Sequence, residues 1–324
     1  MPSMKWGESF LKSGLPLEHL TVTTLTALGW WCAPKWEYRR VNRELELKFF
    51  EVDLVAHAQD DDDGNHLMLL TECKYHDEQR FWFFLPCSTL DHQAQYEAMS
   101  AGQDLESDEE VLHYGPYIPL RHPQRHTLAE LAPLSVWGVT VSQSGQREDN
   151  AIHNALEQLA FAFVPFCLEH VYHFCADSPA AVVPAIVTTA KLFRLKPEIQ
   201  SLDSIRQASM PRDIADELPW TWCYYASRGS VLDHNHFEID LWKKENKGLR
   251  WPGLDDQLAS LWCGLHWVLV VNIDNLGQAA AELRQAFIDL PKDFSRNRQL
   301  LALMNSESAK ARRRRRAKKA ASNR

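Results

Sequence analysis

The chain has 324 residues, 45% of them apolar and 12 of them Trp, enough for a sizeable core and for two domains. A net charge of −8 excludes attraction of a polyanion through the molecule's average field. Seven Cys, an odd number with no CxxC pair and no regular spacing, read as reduced thiols of a cytoplasmic protein. Residues 1–6 carry no apolar signal core, and no run approaches the ~20 apolar residues of a membrane span, so the expectation is a soluble chain without a membrane partner.

The first predicted element is a helix over residues 16–28. Pro16 suits the first helical position, and Gly29 suits the C-terminal cap. Leu17, Leu20, Thr21, Thr24, Leu25 and Leu28 recur at helical spacing on one face. Strands are expected over 35–40, 47–58 and 66–75, with the turn Asp60-Asp61-Asp62-Asp63-Gly64-Asn65 between the last two. A hairpin symmetric about that turn pairs residues whose numbers sum to 125. Asp53 then faces Glu72 and Glu51 faces Lys74, with Cβ atoms ~5 Å apart and all four side chains on one face. A one-residue slip or a bulge would separate Asp53 from Glu72. Val52, Leu54, Ala56 and Cys73 are expected together on the opposite, apolar face. Three carboxylates and one ammonium on one patch suit a hard divalent cation with a Lys beside it. The competing reading is a cross-strand salt-bridge ladder, which three acids against one Lys make less favourable. Glu51 is expected to support Lys74, not to ligate an ion.

Residues 77–134 read as an insertion, with five acids over Asp104 to Glu110, several Pro or Gly breaks near 115–123 and a short helix near 91–100. A strand is expected over 135–141, a helix over 148–172 that Pro165 kinks or ends, and a buried strand over 181–189. Pro197, Pro211 and Pro219 suggest a domain boundary near 195–219. Strands are expected at 220–228, 235–243 and 267–273, followed by a helix over 276–289. The Trp and Tyr residues of 220–225 suit core packing better than base stacking, and so does Tyr75, next to His76. His234 and His236, one residue apart, lack the further ligands of a zinc site and are expected at a surface strand end.

Helix, meander with Asp then Glu-x-Lys, helix, strand: this order resembles the PD-(D/E)XK nuclease superfamily, with its restriction-endonuclease-like α/β fold. Glu18 lies eleven residues before Gly29, and Glu51-Val-Asp53-Leu and Glu72-Cys-Lys74 follow. That arrangement is similar to the nuclease domains of methyl-directed and type IV restriction enzymes. The specific match covers residues 16–75 and the order of elements extends it to about 190. Val52 stands where the superfamily's motif often has Pro. The resemblance implies Mg²⁺, with Mn²⁺ able to substitute, held by Asp53, Glu72, the Cys73 carbonyl and Glu18. It implies that Lys74 orients or deprotonates the attacking water. It implies a DNA substrate (RNA not excluded), a role in bacterial restriction or defence, and partner proteins of such a system. The expected domains are a nuclease domain over 1–200, a second α/β region over 201–305 and a basic tail over 306–324. The alternatives are a catalytically silent nuclease-like domain that binds nucleic acid or a partner, and an α/β protein-interaction module.

Residues 309–324 hold nine Lys or Arg and no acid, which leaves 26 basic against 43 acidic residues in the rest of the chain. The body is therefore at −17 and repels DNA at long range. Such a tail is either a nucleic-acid arm or a segment that neutralises the acidic body. As an arm, its deletion should weaken DNA binding and flatten the dependence of log K on log salt by ~0.9 per lost phosphate contact. Affinities of full-length and truncated protein across a salt series measure this; identical slopes would exclude the arm.

Overall fold

The computed structural model describes residues 5–41, 47–59, 66–77, 80–87, 104–107, 110–113, 132–142, 147–148, 151–174, 180–247, 258–259, 261–262 and 264–288. The turn at 60–65, the helix expected near 91–100 and the basic tail lie outside them. The chain is a mixed α/β structure around one large mixed sheet.

Two helices open it, α1 (Lys5–Lys12) and α2 (Leu15–Ala27). The first has no counterpart in the sequence reading. Pro16 lies in the first turn of α2, where its missing N–H costs nothing. At the other end Gly29, at φ +79°, donates to the Thr26 carbonyl while Trp30 donates to that of Leu25. That paired arrangement closes a helix with a left-handed residue, the role expected of Gly29. Leu17, Thr21 and Leu25 are buried, but Leu20 is half exposed, so the buried stripe is narrower than its apolar spacing suggested.

Strands β1 (Trp31–Val41), β2 (Leu47–Gln59) and β3 (His66–Lys74) form the expected antiparallel meander. Next come β4 (Arg80–Pro86), a separate hairpin of β5 (Asp104–Ser107) and β6 (Glu110–His113), β7 (Leu134–Ser142) and β8 (Arg147–Glu148). The long helix α3 (Ala151–Phe166) runs on as a π-helical segment, Cys167–Phe174. After β9 (Ala180–Thr188) and β10 (Lys191–Leu195) come the short helices α4 (Leu202–Gln207) and α5 (Pro211–Ile214). Strands β11 (Ala215–Leu218) and β12 (Trp220–Tyr224), helix α6 (Gly229–Glu245), β13 (Trp267–Asn272) and helix α7 (Leu276–Ile288) complete the chain.

The main sheet runs β1-β2-β3-β9-β13-β12-β7-β4-β10-β11, with β8 beside β7. β3 pairs antiparallel with β2 and parallel with β9, and its seven inner residues are all buried. It is a central strand covered on both faces, as its apolar run indicated. Two cores flank the sheet. One holds Leu17 and Leu25 of α2 and Ala279, Ala280 and Leu283 of α7 against Leu54, Ala56, Leu67 and Leu69. The other holds α3 and α6 against Val52, Val55, Met68 and Leu70.

Four expectations change. β4 falls inside the supposed insertion, yet it is a sheet strand between β7 and β10; its Trp82 and Phe84 are buried. The boundary expected near 195–219 falls within the same sheet, because β12 and β13 insert between β9 and β7. Residues 235–243 are helical. Val231, His234, Asn235, Glu238, Ile239 and Trp242 are buried at spacings of three and four, the period of a helix and not of a strand. The helical segment Ala151–His170 is long and apolar enough to cross a membrane, contrary to the composition estimate, but about two-thirds of its most apolar window is buried inside the protein.

Pro165 ends the α-helical stretch within one residue but not the helical path, and the reason is local. It has no N–H to give the Phe161 carbonyl four residues back. That carbonyl instead meets Nε2 of His234 from α6, at 3.2 Å. A carbonyl can only accept, so Nε2 carries the proton. Burial holds His234 down at about 4, hence neutral near pH 7. His234 is thus a buried helix residue that satisfies a proline's orphaned carbonyl, not a strand-end side chain. His234→Phe should destabilise the protein by about 1–3 kcal/mol, the cost of an unsatisfied buried group. In a Pro165→Ala background, which restores an amide to Phe161, the loss should shrink. Urea unfolding of the four proteins measures the difference, and additive losses would mean that the two residues do not share one carbonyl.

Candidate metal and phosphodiester site

The β2–β3 register is the one expected: Leu54 pairs with Thr71, Val55 with Leu70, and so on to Gln59 with His66. The ladder stops one residue short of the Asp53–Glu72 position. There the Asp53 carboxylate turns onto the partner strand, and Oδ2 accepts the Cys73 N–H at 2.7 Å. A side chain thus takes the amide where β2 leaves the ladder.

The cause lies partly on the other side of β2. Pro34 pairs with Leu54 and Trp36 with Val52, and between them Lys35, opposite Asp53, has φ +57°. A non-glycine residue held there costs roughly 1–2 kcal/mol. The facing of side chains reverses at this point. Val52 packs in the α3 layer while Leu54, Ala56 and Cys73 pack in the α2 layer, so the four do not share one face as expected. The irregularity lets groups from both layers reach the same end of the sheet.

Lys74 Nζ donates to Glu72 Oε1 at 2.6 Å and to Gln158 Oε1 of α3 at 3.0 Å. Gln158 was not singled out from the sequence. The only signal was an amide bordering the apolar stripe Ile152, Ala155, Leu156 and Leu159. Glu72 is 1% exposed, and its second oxygen, Oε2, has no hydrogen-bond partner among the described residues. Burial, then the Asp53 charge, push its pKa up to about 7, against the pull of Lys74. Burial also raises Asp53, partly offset by the Cys73 amide and Lys74. Glu18, in the first turn of α2, is raised by partial burial and by Asp53. The three carboxylates therefore lie within each other's fields.

Glu51 departs from its expected role. It pairs with Lys35, Oε2 to Nζ at 3.3 Å, and adds to the negative field on Asp53 and Glu18 instead of supporting Lys74. The Cys73 thiol is buried, meets Thr21 Oγ1 at 3.6 Å and is pushed well above its usual pKa, so it stays protonated. Only the backbone carbonyl of that residue is a reasonable oxygen donor.

A divalent cation suits the donors: an orphaned buried carboxylate oxygen and neighbouring acids that raise one another. Among the described residues no three His, Cys, Asp or Glu side chains stand as a ready-made cage. An ion shared by Asp53, Glu72 and Glu18 would have to draw them together.

The remaining candidates are structural. His76 is buried edge-on to Trp82, its backbone amide donates to Thr189 Oγ1, and burial holds it at about 4. Tyr75 packs against the α2-side core, and Trp220, Trp222 and Tyr225 are buried. His236 is exposed and lies 3.5 Å from Asp240.

Glu72 gives a pH prediction. Its folded pKa, about 7, lies above the ordinary 4.5, so the folded state binds the extra proton between those values. Stability is then full below about 4.5 and falls as pH rises through 7. Glu72→Gln should remove that fall and gain on the wild type by on the order of 2 kcal/mol at pH 8 without divalent ions. Denaturant unfolding from pH 5 to 8 checks it; parallel profiles would place Glu72 outside this electrostatic network.

Comparison of the chain with family models, with curated proteins and with solved structures gave no match.

Proposed function

We propose that this protein is a divalent-metal-dependent nuclease that hydrolyses phosphodiester bonds, with DNA as its substrate. The observation that carries the reading is the convergence of Asp53, Glu72 and Lys74 at the end of a buried central strand, with one Glu72 oxygen unpartnered. The three-dimensional grouping supports the reading that the sequence motif suggests. The order of elements supports it too. A helix precedes a three-stranded meander, a second helix covers the opposite face, and β9 lies parallel against β3. With β4 to β8 set aside, that order is similar to the restriction-endonuclease-like core the motif resembles.

In this reading Asp53, Glu72, Glu18 and the Cys73 carbonyl hold Mg²⁺ or Mn²⁺. Such an ion lowers the pKa of bound water and neutralises charge on the phosphoryl oxygens. The chain's own residues do the rest. Gln158 and Glu72 fix the Lys74 ammonium beside the carboxylates. From there it can steady the developing phosphate charge and orient the water, a stabilisation that grows toward the transition state. The Cys73 amide holds the Asp53 carboxylate in place before any ligand arrives. The silent-domain alternative is favoured by one observation, the lack of a closed three-donor cage among the described residues.

Incubation with plasmid and single-stranded DNA, with and without Mg²⁺ or Mn²⁺, decides between them. Asp53→Ala and Glu72→Ala should each reduce cleavage by at least about a hundredfold while keeping the fold. Lys74→Ala should cost more in turnover than in binding. Full cleavage by both carboxylate variants would exclude this site as the catalytic centre.

Metal binding has its own readout. Ligation needs ionised carboxylates, so the rise in Tm on adding Mg²⁺ should be larger at pH 8 than at pH 6. It should vanish in Asp53→Ala. A shift unaffected by that substitution would place the ion elsewhere.

A further inference from the structure

At Lys35 the chain gives up regular backbone geometry to place a cation. It is one of two described non-glycine residues with positive φ, and it stands in β1 directly opposite Asp53. Its ammonium is 3.3 Å from Glu51 Oε2, and its side chain is 59% exposed. It acts electrostatically on both Asp53 and Glu18, as Lys74 also does. The two lysines differ in every other respect. Lys74 is mostly buried and held by two acceptors, Glu72 and Gln158. Lys35 is exposed and held by one exposed carboxylate, an ion pair of little intrinsic strength. Nothing in packing requires a lysine there. Glycine would take up that φ freely, and the pair with Glu51 gives little in return.

We propose that Lys35 is a phosphate anchor, which leaves Glu51 and holds a nucleic-acid phosphate at the mouth of the Asp53–Glu72–Lys74 site. The assignment rests on the nuclease reading and adds to it a residue outside the Asp and Glu-x-Lys motif. The physical case is charge balance. Glu18, Glu51, Asp53 and Glu72 face two lysines, and a divalent ion brings the group only to neutrality, so the carboxylates and the ion together offer an approaching phosphodiester no net attraction. The exposed Lys35 ammonium can turn from Glu51 to a phosphate, while Lys74 stays committed to Glu72 and Gln158. Lys35 stands opposite Asp53, where β2 leaves β3, and its ammonium meets Glu51 there.

The test compares full-length wild type with Lys35→Gly and Lys35→Arg. A duplex oligonucleotide is the probe, with Ca²⁺ in place of Mg²⁺ so that binding is read without cleavage. Lys35→Gly should weaken binding of all sequences alike and lower the slope of log K against log salt by about 0.9. Its Tm should equal or exceed that of the wild type, because glycine relieves the backbone. Lys35→Arg should restore the slope. An unchanged slope in Lys35→Gly overturns the proposal, and so does a lowered Tm, which would make the residue structural. A wild type that binds no DNA overturns it together with the nuclease reading. An unchanged slope alongside Mg²⁺-dependent cleavage by the wild type overturns the anchor alone.

Discussion

The hydrogen bond from the Cys73 amide to the Asp53 carboxylate is the contact on which the site depends. A central sheet strand cannot leave an amide unpaired without a cost of about 1–3 kcal/mol. Where β2 separates from β3, Asp53 supplies the missing acceptor, and the strands can splay. The splay, with the positive φ of Lys35 across β2, is what lets α2 deliver Glu18 from one layer and α3 deliver Gln158 from the other. In an unbroken ladder Glu51, Asp53, Glu72 and Lys74 would share one face of the sheet, within reach of a single helical layer.

This arrangement costs stability. Four carboxylates share one end of the sheet with two lysines, and the most buried of them, Glu72, is held near neutral pKa by burial and by Asp53. No packing purpose is served by an orphaned Glu72 oxygen. Strain and unsatisfied charge of this kind persist where the surrounding structure over-determines them, and here the surroundings are strong. β3 is sealed between β2 and β9, Thr188 Oγ1 donates to the Lys74 carbonyl, and Thr189 Oγ1 donates to that of His76. The segment that carries Glu72 and Lys74 is fixed on its β9 side by hydrogen bonds that do not involve their side chains.

The C-terminal elements support the same framework. β13 lies between β9 and β12, and α6 packs on α3. Two polar links fasten α6 to the rest: His234 to the carbonyl that Pro165 frees, and the buried Glu238 to Arg39 of β1. The proline and the helix that satisfies it are about 70 residues apart in sequence, a reason that the two halves fold around one sheet.

Much of the site was legible because it is local. The antiparallel register, the limits of α2, the Gly29 cap and the Asp53/Glu72/Lys74 grouping all follow from short-range spacing, turn chemistry and strand alternation. The same reasoning misread 235–243 as a strand, because Phe237, Ile239 and Leu241 alternate as in a strand, and the helical period shows only once the buried polar residues His234, Asn235 and Glu238 are known. Strand β4 looked like part of an insertion because its partners β7 and β10 lie about 55 and 110 residues further along. Gln158, the partnering of Glu51 with Lys35 rather than Lys74, and the reversal of faces at Asp53 were decided only in three dimensions. Each depends on where a distant element places one atom, and no local pattern encodes such a contact.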